Sequence, residues 1–148
     1  MVKALVSGLV FSLPIFGLVA QPSSSIDIGQ VGAAGSTSVQ SNVYTVRASG
    51  ADIAGAGDEF RFVYARMSRD GEITARVDSL SATDPLTKAS VMIRDTLSAT
   101  SRYAYAMVSA GNGVNFQYRP TTGGYAVAGT FDRVSRAPYW VRVRRVGN

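Results

Sequence analysis

The sequence predicts an all-β protein, an antiparallel β-sandwich or jelly roll. Past residue 21, no window keeps the i, i+3, i+4 apolar spacing of an amphipathic helix, whereas apolar and polar residues alternate with a period of two in short runs. Turn-forming pairs such as Asp70-Gly71 and Gly123-Gly124 separate those runs. The chain has 148 residues, of which 46% are hydrophobic, and this fits one domain with its own core.

The first twenty residues have a different character. Lys3 is their only charged residue, and an apolar run continues from there to Ala20. A short basic start, an apolar stretch and a small final residue are typical of a secretory signal peptide, here over residues 1–20. An uncleaved membrane anchor is the alternative, although Pro14 interrupts the run. Residues 21–30 are then expected to be a flexible mature N-terminus, and residues 31–148 the sandwich domain.

Seven strands are predicted in the remaining chain. They are Val43–Arg47, Glu59–Tyr64, Glu72–Val77, Lys88–Arg94, Arg102–Ser109, Val114–Arg119 and Tyr139–Arg145. Asn112-Gly113, between two of these strands, predicts a hairpin with a type I′ turn, because both central residues of that turn need positive φ. Short strands at this spacing, with no helix to connect them, favour antiparallel pairing in a sandwich or jelly roll.

The alternation also predicts which side chains face the core. The expected core set is Ile73, Ala75, Val77, Val91, Ile93, Val114, Phe116, Tyr118, Tyr139, Val141 and Val143. The opposite set is expected to face solvent, and it comprises Glu72, Thr74, Arg76, Asp78, Ser90, Met92, Arg94, Asn115, Gln117, Arg119, Trp140, Arg142 and Arg144. This second set is rich in planar hydrogen-bonding groups.

Two interpretations of this polar face stay open. Antiparallel sheets commonly keep one polar face in water, so Arg or Gln there needs no function. Alternatively, guanidinium and amide groups can pair with hydroxyls or carboxylates while an aromatic ring packs on a sugar. The candidate ligand-binding residues of that second interpretation are Arg94, Asn115, Gln117, Arg119, Trp140 and Arg142.

Composition removes most catalytic chemistry. The chain contains no His and no Cys, which excludes a Ser-His-Asp triad, a Cys nucleophile, a disulfide and a His/Cys metal cage. No cofactor or metal is predicted. A calcium site around Asp52, Asp58 or Asp84 is conceivable, but the Asp-x-Asp-x-Asp-Gly loop is missing.

The net charge of +5 is carried almost entirely by Arg. Such a balance has three interpretations: simple solubility, an anionic polysaccharide or membrane surface, or a nucleic acid. Nucleic acid is set aside as a partner because an exported protein seldom meets it. Glycoside hydrolysis needs two carboxylates, yet the only glutamates are Glu59 and Glu72, and each is expected to be a surface carboxylate beside an Arg.

Several segments occur in an order that is characteristic of a family. They are Asp27-Ile28-Gly29 to Gly35-Ser36, Ser49-Gly50-Ala51-Asp52-Ile53, Phe60-Arg61-Phe62-Val63-Tyr64, Asp70-Gly71-Glu72-Ile73, Ala89-Ser90-Val91-Met92-Ile93-Arg94, Gly111-Asn112-Gly113-Val114, Phe116-Gln117-Tyr118-Arg119 and Ala137-Pro138-Tyr139-Trp140-Val141-Arg142. This order resembles the bacterial secreted concanavalin A-like (lectin/glucanase) domains, often labelled regulation-of-enolase-like. The resemblance implies a jelly roll of two antiparallel sheets, found as a module of extracellular multidomain proteins.

Two departures from that family bear on the fold. Members commonly carry Gly at the position of Ser90 and Glu at that of Asp95. They also continue past Gly147-Asn148 with further strands. The sandwich is therefore expected to lack its last strands and to associate through an exposed edge.

We expect a secreted, extracellular or periplasmic, non-catalytic module that binds glycan, with no membrane span after signal cleavage. The alternative is a structural or interaction module that contacts other extracellular domains. A glycoside hydrolase is the third possibility.

Overall fold

A computed structural model describes residues 9–10, 22–81 and 84–147. Every regular element in this part of the chain is a β-strand. The strands are β1 Leu9–Val10, β2 Ser24–Ile28, β3 Ser36–Gln40, β4 Val43–Arg47, β5 Ile53–Ala54, β6 Gly57–Asp58, β7 Phe60–Tyr64, β8 Gly71–Val77, β9 Lys88–Arg94, β10 Tyr103–Ser109, β11 Gly113–Arg119, β12 Val127–Asp132 and β13 Tyr139–Arg145.

The described strands form two larger sheets and two short pairs. One sheet has five strands in the order β13-β8-β1-β4-β3, and the other has four in the order β12-β11-β10-β9. The pairs are β2-β7 and β5-β6. Every pairing is antiparallel. The prediction of an all-β chain with antiparallel sheets is confirmed.

All seven predicted strands are present, as β4, β7, β8, β9, β10, β11 and β13. The structure adds β2 within residues 21–30, the segment expected to be flexible. Ser25-Ile26-Asp27-Ile28 alternates, β2 pairs with β7 along its whole length, and Ile28 is buried. The strands β3 and β12 were also missed, because both are largely exposed sheet edges with little apolar alternation to reveal them.

The hairpin turns differ from expectation in an instructive way. Ser109 pairs with Gly113, so the loop between β10 and β11 has three residues. Of Asn112 and Gly113, only Gly113 has a positive φ, at 76°. The predicted type I′ turn at Asn112-Gly113 is therefore wrong. Two central residues with positive φ occur instead at Ser41 and Asn42, between β3 and β4, with φ of 48° and 65°. A two-residue hairpin loop selects that conformation even without glycine.

The N-terminal apolar segment enters the description only through β1. Leu9 pairs with Tyr44 of β4 and with Val77 of β8, so β1 lies between two strands that are not paired with each other. The rest of the predicted signal peptide lies outside the described residues. Within the described residues, no helix has the length and hydropathy needed to cross a bilayer.

The main hydrophobic core lies between the two larger sheets. The five-stranded sheet contributes Tyr44, Val46, Ala75, Val77, Val141 and Val143, and the four-stranded sheet contributes Ala89, Val91 and Val108. The predicted inward set is therefore confirmed for Ala75, Val77, Val91, Val141 and Val143. Apolar side chains from both sheets meet in one layer, as in a β-sandwich.

The other face of the four-stranded sheet is covered as well. Met92, Tyr103, Tyr105 and Met107 form a second buried cluster with Ile53, and Phe60, Phe62 and Ala126 pack against it. The segment from β5 to β7 thus lies over the face that was expected to meet solvent. That expectation is wrong for Met92, Arg94 and Arg119, whereas Phe116, Tyr118 and Tyr139, expected in the core, are more than a third exposed.

Candidate functional site

Asp58 and two arginines form a buried ionic cluster on the covered face. The Asp58 carboxylate accepts hydrogen bonds from Arg119 Nη1 at 2.9 Å and Arg119 Nη2 at 2.7 Å. Arg94 Nη2 lies 3.4 Å from Asp58 Oδ2. The side chains of Asp58 and Arg119 are 0% exposed, and that of Arg94 is 2% exposed. A bidentate pair of this kind is a strong, charge-assisted contact that fixes both partners.

Arg119 also connects loops through backbone carbonyls. Its two Nη atoms donate at 3.0–3.4 Å to four of them, those of Ala54, Gly55, Ala99 and Ser101. The Tyr103 ring centroid lies 4.7 Å from the Arg119 guanidinium carbon. Burial is the largest single influence on the pKa of Arg119 and lowers it. The hydrogen bond to Asp58 and the charge interactions with Asp58 and Tyr103 together outweigh burial, so the pKa is raised and the side chain stays charged. Arg119 is therefore a structural connector.

Arg94 is held in the same way. Its guanidinium carbon lies 5.2 Å from the Phe60 ring centroid and 5.8 Å from that of Phe62. Nε donates to the Thr96 carbonyl at 2.7 Å, and Nη2 donates to the Ser98 carbonyl. Burial lowers the pKa of Arg94, and the nearby Asp58 only partly offsets that effect. Its donors are directed into the protein.

Gln117 and Asn115 are half-buried. Gln117 Nε2 donates to the Ile53 carbonyl at 2.9 Å and to the Tyr103 hydroxyl at 2.8 Å. Asn115 Nδ2 donates to the carbonyl of Asn112 at 3.1 Å within its own hairpin. Of the six predicted ligand-binding residues, these two and the two buried arginines are therefore engaged by the protein itself, on the covered side of the four-stranded sheet.

Trp140 and Arg142 have a different environment, on the outer face of the five-stranded sheet. Trp140 is 48% exposed and lies opposite Arg76 of β8. Arg142 lies opposite Thr74, and Arg144 lies opposite Glu72. Among the described residues, Arg142 makes only a long contact of 3.9 Å with Glu72, whereas Arg76 forms an ion pair with Asp78 at 2.9 Å. We call this exposed set, Arg76, Trp140, Arg142 and Arg144, the outer basic face.

A cavity of about 940 Å³ lies elsewhere, and the sequence did not predict it. It touches every residue of β7 and every residue of β9. A cavity over a sheet face would touch alternate residues, so this one borders the strand edges. Val46, Val63, Ile73 and Val91 of the main core also line it. The cavity therefore lies between β7 and β9 and reaches side chains of the main core.

One end of this cavity carries cations that lack counterions. Arg66 and Arg69 follow β7 and are exposed, and Arg145 pairs with Gly71 at the start of β8. Within the described part of the chain, none of the three side chains forms an ion pair or a hydrogen bond, and the buried Nε of Arg145 is unsatisfied. Asp70 lines the same end, but it accepts a hydrogen bond from the Gly147 amide at 2.9 Å.

The carboxylates considered for catalysis or calcium are mostly occupied. Asp52 forms an ion pair with Lys88, and Glu59 Oε2 accepts from the Ala51 amide at 3.0 Å. The Asp84 Oδ1 atom accepts from the Leu86 amide. In residues 22–81 and 84–147, no group of three or more acidic side chains is arranged to hold a metal ion.

One sequence signal could have identified the covered face. In β10, Tyr103, Tyr105 and Met107 alternate with Ala104, Ala106 and Val108, so both faces of the strand are apolar. A strand of that kind is buried on both sides. Its neighbours Gln117 and Arg119 share the Tyr103 and Tyr105 face through the β10–β11 register, so they had to be covered too.

No protein family, curated protein or solved structure matches the chain. The resemblance to concanavalin A-like domains therefore stays a prediction, and function has to be argued from the chemistry of the outer basic face and the cavity.

Proposed function

We propose that the chain is an exported, non-catalytic binding module with a concanavalin A-like jelly roll, and that its outer basic face binds glycan. The observation that carries the proposal is the exposed Trp140 beside arginines on the outer face of two paired strands, β8 and β13. Four of the six predicted ligand residues are occupied within the protein, so the proposed site is smaller than predicted and lies on the opposite sheet.

The chemistry of this face supports an acidic polysaccharide. An exposed indole can pack on the apolar side of a pyranose. Arg142 and Arg144 lie on the same face as Trp140 and alternate with the buried Val141 and Val143, and Arg76 lies opposite Trp140 on β8. Guanidinium groups donate paired hydrogen bonds to carboxylate or sulfate. A sugar ring with an anionic substituent fits both features.

Binding to a panel of neutral, uronic-acid and sulfated polysaccharides, measured by pull-down and calorimetry, tests the proposal. We expect retention of the acidic members, and about a tenfold loss of affinity for Trp140→Ala and for Arg142→Ala. Tyr125→Ala and Arg133→Ala are the matched controls, because both side chains are exposed and lie outside this face. If the wild-type protein retains no polysaccharide, or if the controls weaken binding equally, the proposal fails.

A second candidate, a protein-interaction module, is favoured by a separate observation. The cavity between β7 and β9 borders two strand edges, and such edges can pair with a further polypeptide.

A further inference from the structure

Two strand edges in the described structure lack partners, and both line the same cavity. β9 is hydrogen-bonded to β10 on one side, and β7 is hydrogen-bonded to β2 on one side. No described strand pairs with the other side of either. Edges of this kind present rows of backbone N–H and C=O groups that can accept a strand. The seven residues of β9 would offer roughly 23 Å of edge at about 3.3 Å per residue.

Much of the cavity wall is apolar, although charged side chains such as Asp52, Lys88 and Asp95 also line it. Val46, Val63, Ile73, Val91 and Ile93 line it, and each belongs to the main core or packs against it. Its volume of about 940 Å³ is at the upper end of the range for small-molecule sites. An occupant would therefore contribute apolar side chains to the core on one of its faces.

The charged end constrains the occupant further. Arg66, Arg69 and Arg145 lie near the start of β8, and none has an anionic partner among the described residues. The carboxylates at this end are Asp70, which accepts a hydrogen bond from the Gly147 amide and keeps its charge, and Glu72, which lies 3.9 Å from Arg142. Arg66, Arg69 and Arg145 outnumber these two carboxylates, so this end carries a net positive charge, which favours an anion.

We infer that the cavity accepts an extended polypeptide from another protein by strand addition between β7 and β9, with apolar side chains directed into the core and an acidic end at Arg66, Arg69 and Arg145. An acyl chain with a carboxylate matches the apolar wall and the charge. Only a polypeptide also satisfies the backbone groups along both edges, because strand addition supplies main-chain hydrogen bonds as well as side-chain pockets.

A peptide library tests the inference with the full chain. The probe is a pool of heptapeptides that alternate Val, Ile, Leu or Phe with Ser or Thr and end in two Glu residues. We expect micromolar binding of selected members and slower hydrogen exchange of the β7 and β9 amides on binding. Arg69→Glu is expected to weaken binding by at least about tenfold. The control Arg133→Glu, an exposed cation outside the cavity, should leave the affinity unchanged.

Five results would overturn the inference. Equal binding of heptapeptides ending in two Lys residues would remove the role of the arginines. Equal binding of backbone N-methylated peptides, or binding of palmitate in their place, would show that the edges form no hydrogen bonds to the occupant. Dimers that no heptapeptide dissociates, or enrichment of no peptide at all, would assign the edges to a second copy or to no partner. None of these results depends on polysaccharide binding by the outer basic face.

Discussion

Two strands that contain arginine, β11 and β13, have similar sequences and opposite environments. In β11, Phe-Gln-Tyr-Arg ends in Arg119, which is 0% exposed and bonded to Asp58 and to four carbonyls. In β13, Tyr-Trp-Val-Arg reaches Arg142, which is 65% exposed and has one long contact. Both arginines occupy the polar positions of an alternating strand. The difference lies in what covers each strand.

This difference teaches how the two regions work. The segment from β5 to β7 covers the four-stranded sheet, so the arginines beneath it need partners within the protein. The Nη atoms of Arg119 have such partners, whereas its buried Nε has none among the described residues. No described segment covers the outer face of β8 and β13. Arg142 and Arg144 therefore keep most of their donors for solvent or ligand, while Arg76 forms an ion pair with Asp78 at 2.9 Å. The first region stabilises the fold, and the second is available for binding.

Replacing Arg119 by Ala should have the largest effect on this contrast. The change leaves Asp58 with Arg94 as its only cationic partner and removes the donors to four carbonyls, so we expect a loss of about 3–5 kcal/mol in the free energy of unfolding. That is a large part of the roughly 5–15 kcal/mol of a typical domain. Urea denaturation measures it. A loss as small as that of Arg142→Ala would show that the cluster contributes no stability.

Gln117→Leu should come next. The leucine leaves the Tyr103 hydroxyl and the Ile53 carbonyl without the amide that joins them, at an expected loss of about 1–3 kcal/mol. Asn115→Leu is the control on the same strand, because its side chain bonds only within the hairpin. Equal urea midpoints for the two variants would mean that the covered face does not depend on this contact.

High pH should destabilise the protein, in part through the covered region. Burial raises the pKa of Tyr103 and of Tyr105 above the usual value of about 10. Unfolded tyrosines therefore lose their protons first, so the stability present below about pH 10 declines as the pH rises above it. Urea midpoints between about pH 8 and pH 11 measure the slope. Tyr105→Phe should flatten the slope, whereas Tyr125→Phe should not. An unchanged slope in both would contradict the effect.

Arg142→Ala should have the smallest effect on stability. The Arg142–Glu72 contact is 3.9 Å long between side chains that are 65% and 39% exposed. Pairs of this kind contribute little, so we expect a change within about 0.5 kcal/mol. A loss above about 1 kcal/mol would mean that the outer basic face holds the fold together, and it would weaken the case for a binding role.

The sequence predicted the strands well and the covered face poorly, for one physical reason. Alternation separates the two sides of a strand, so all seven predicted strands are present, and Ala75, Val77, Val141 and Val143 are in the core as expected. Alternation does not say whether a third layer lies on the polar side. Arg94 and Arg119 were therefore expected in solvent, although the two apolar faces of β10 already indicated a covered sheet.

The cavity was beyond prediction for a related reason. It depends on which strands are neighbours in space, and β7 and β9 are separated in the sequence by β8, a strand of the other sheet. The alternation of apolar residues and the turn-forming residues identify each strand separately. They contain no information about two edges that face each other without pairing.

The position of β1 has a consequence for biosynthesis. Leu9 and Val10 are synthesised before both strands that pair with them, because β4 and β8 come later in the chain. The five-stranded sheet therefore cannot close around β1 until Val77 has emerged, because pairing over so long a stretch of chain has to wait for its partner. During synthesis, the β3–β4 hairpin can form early and locally, while its junction with β8 and β13 is left to the final stage of folding.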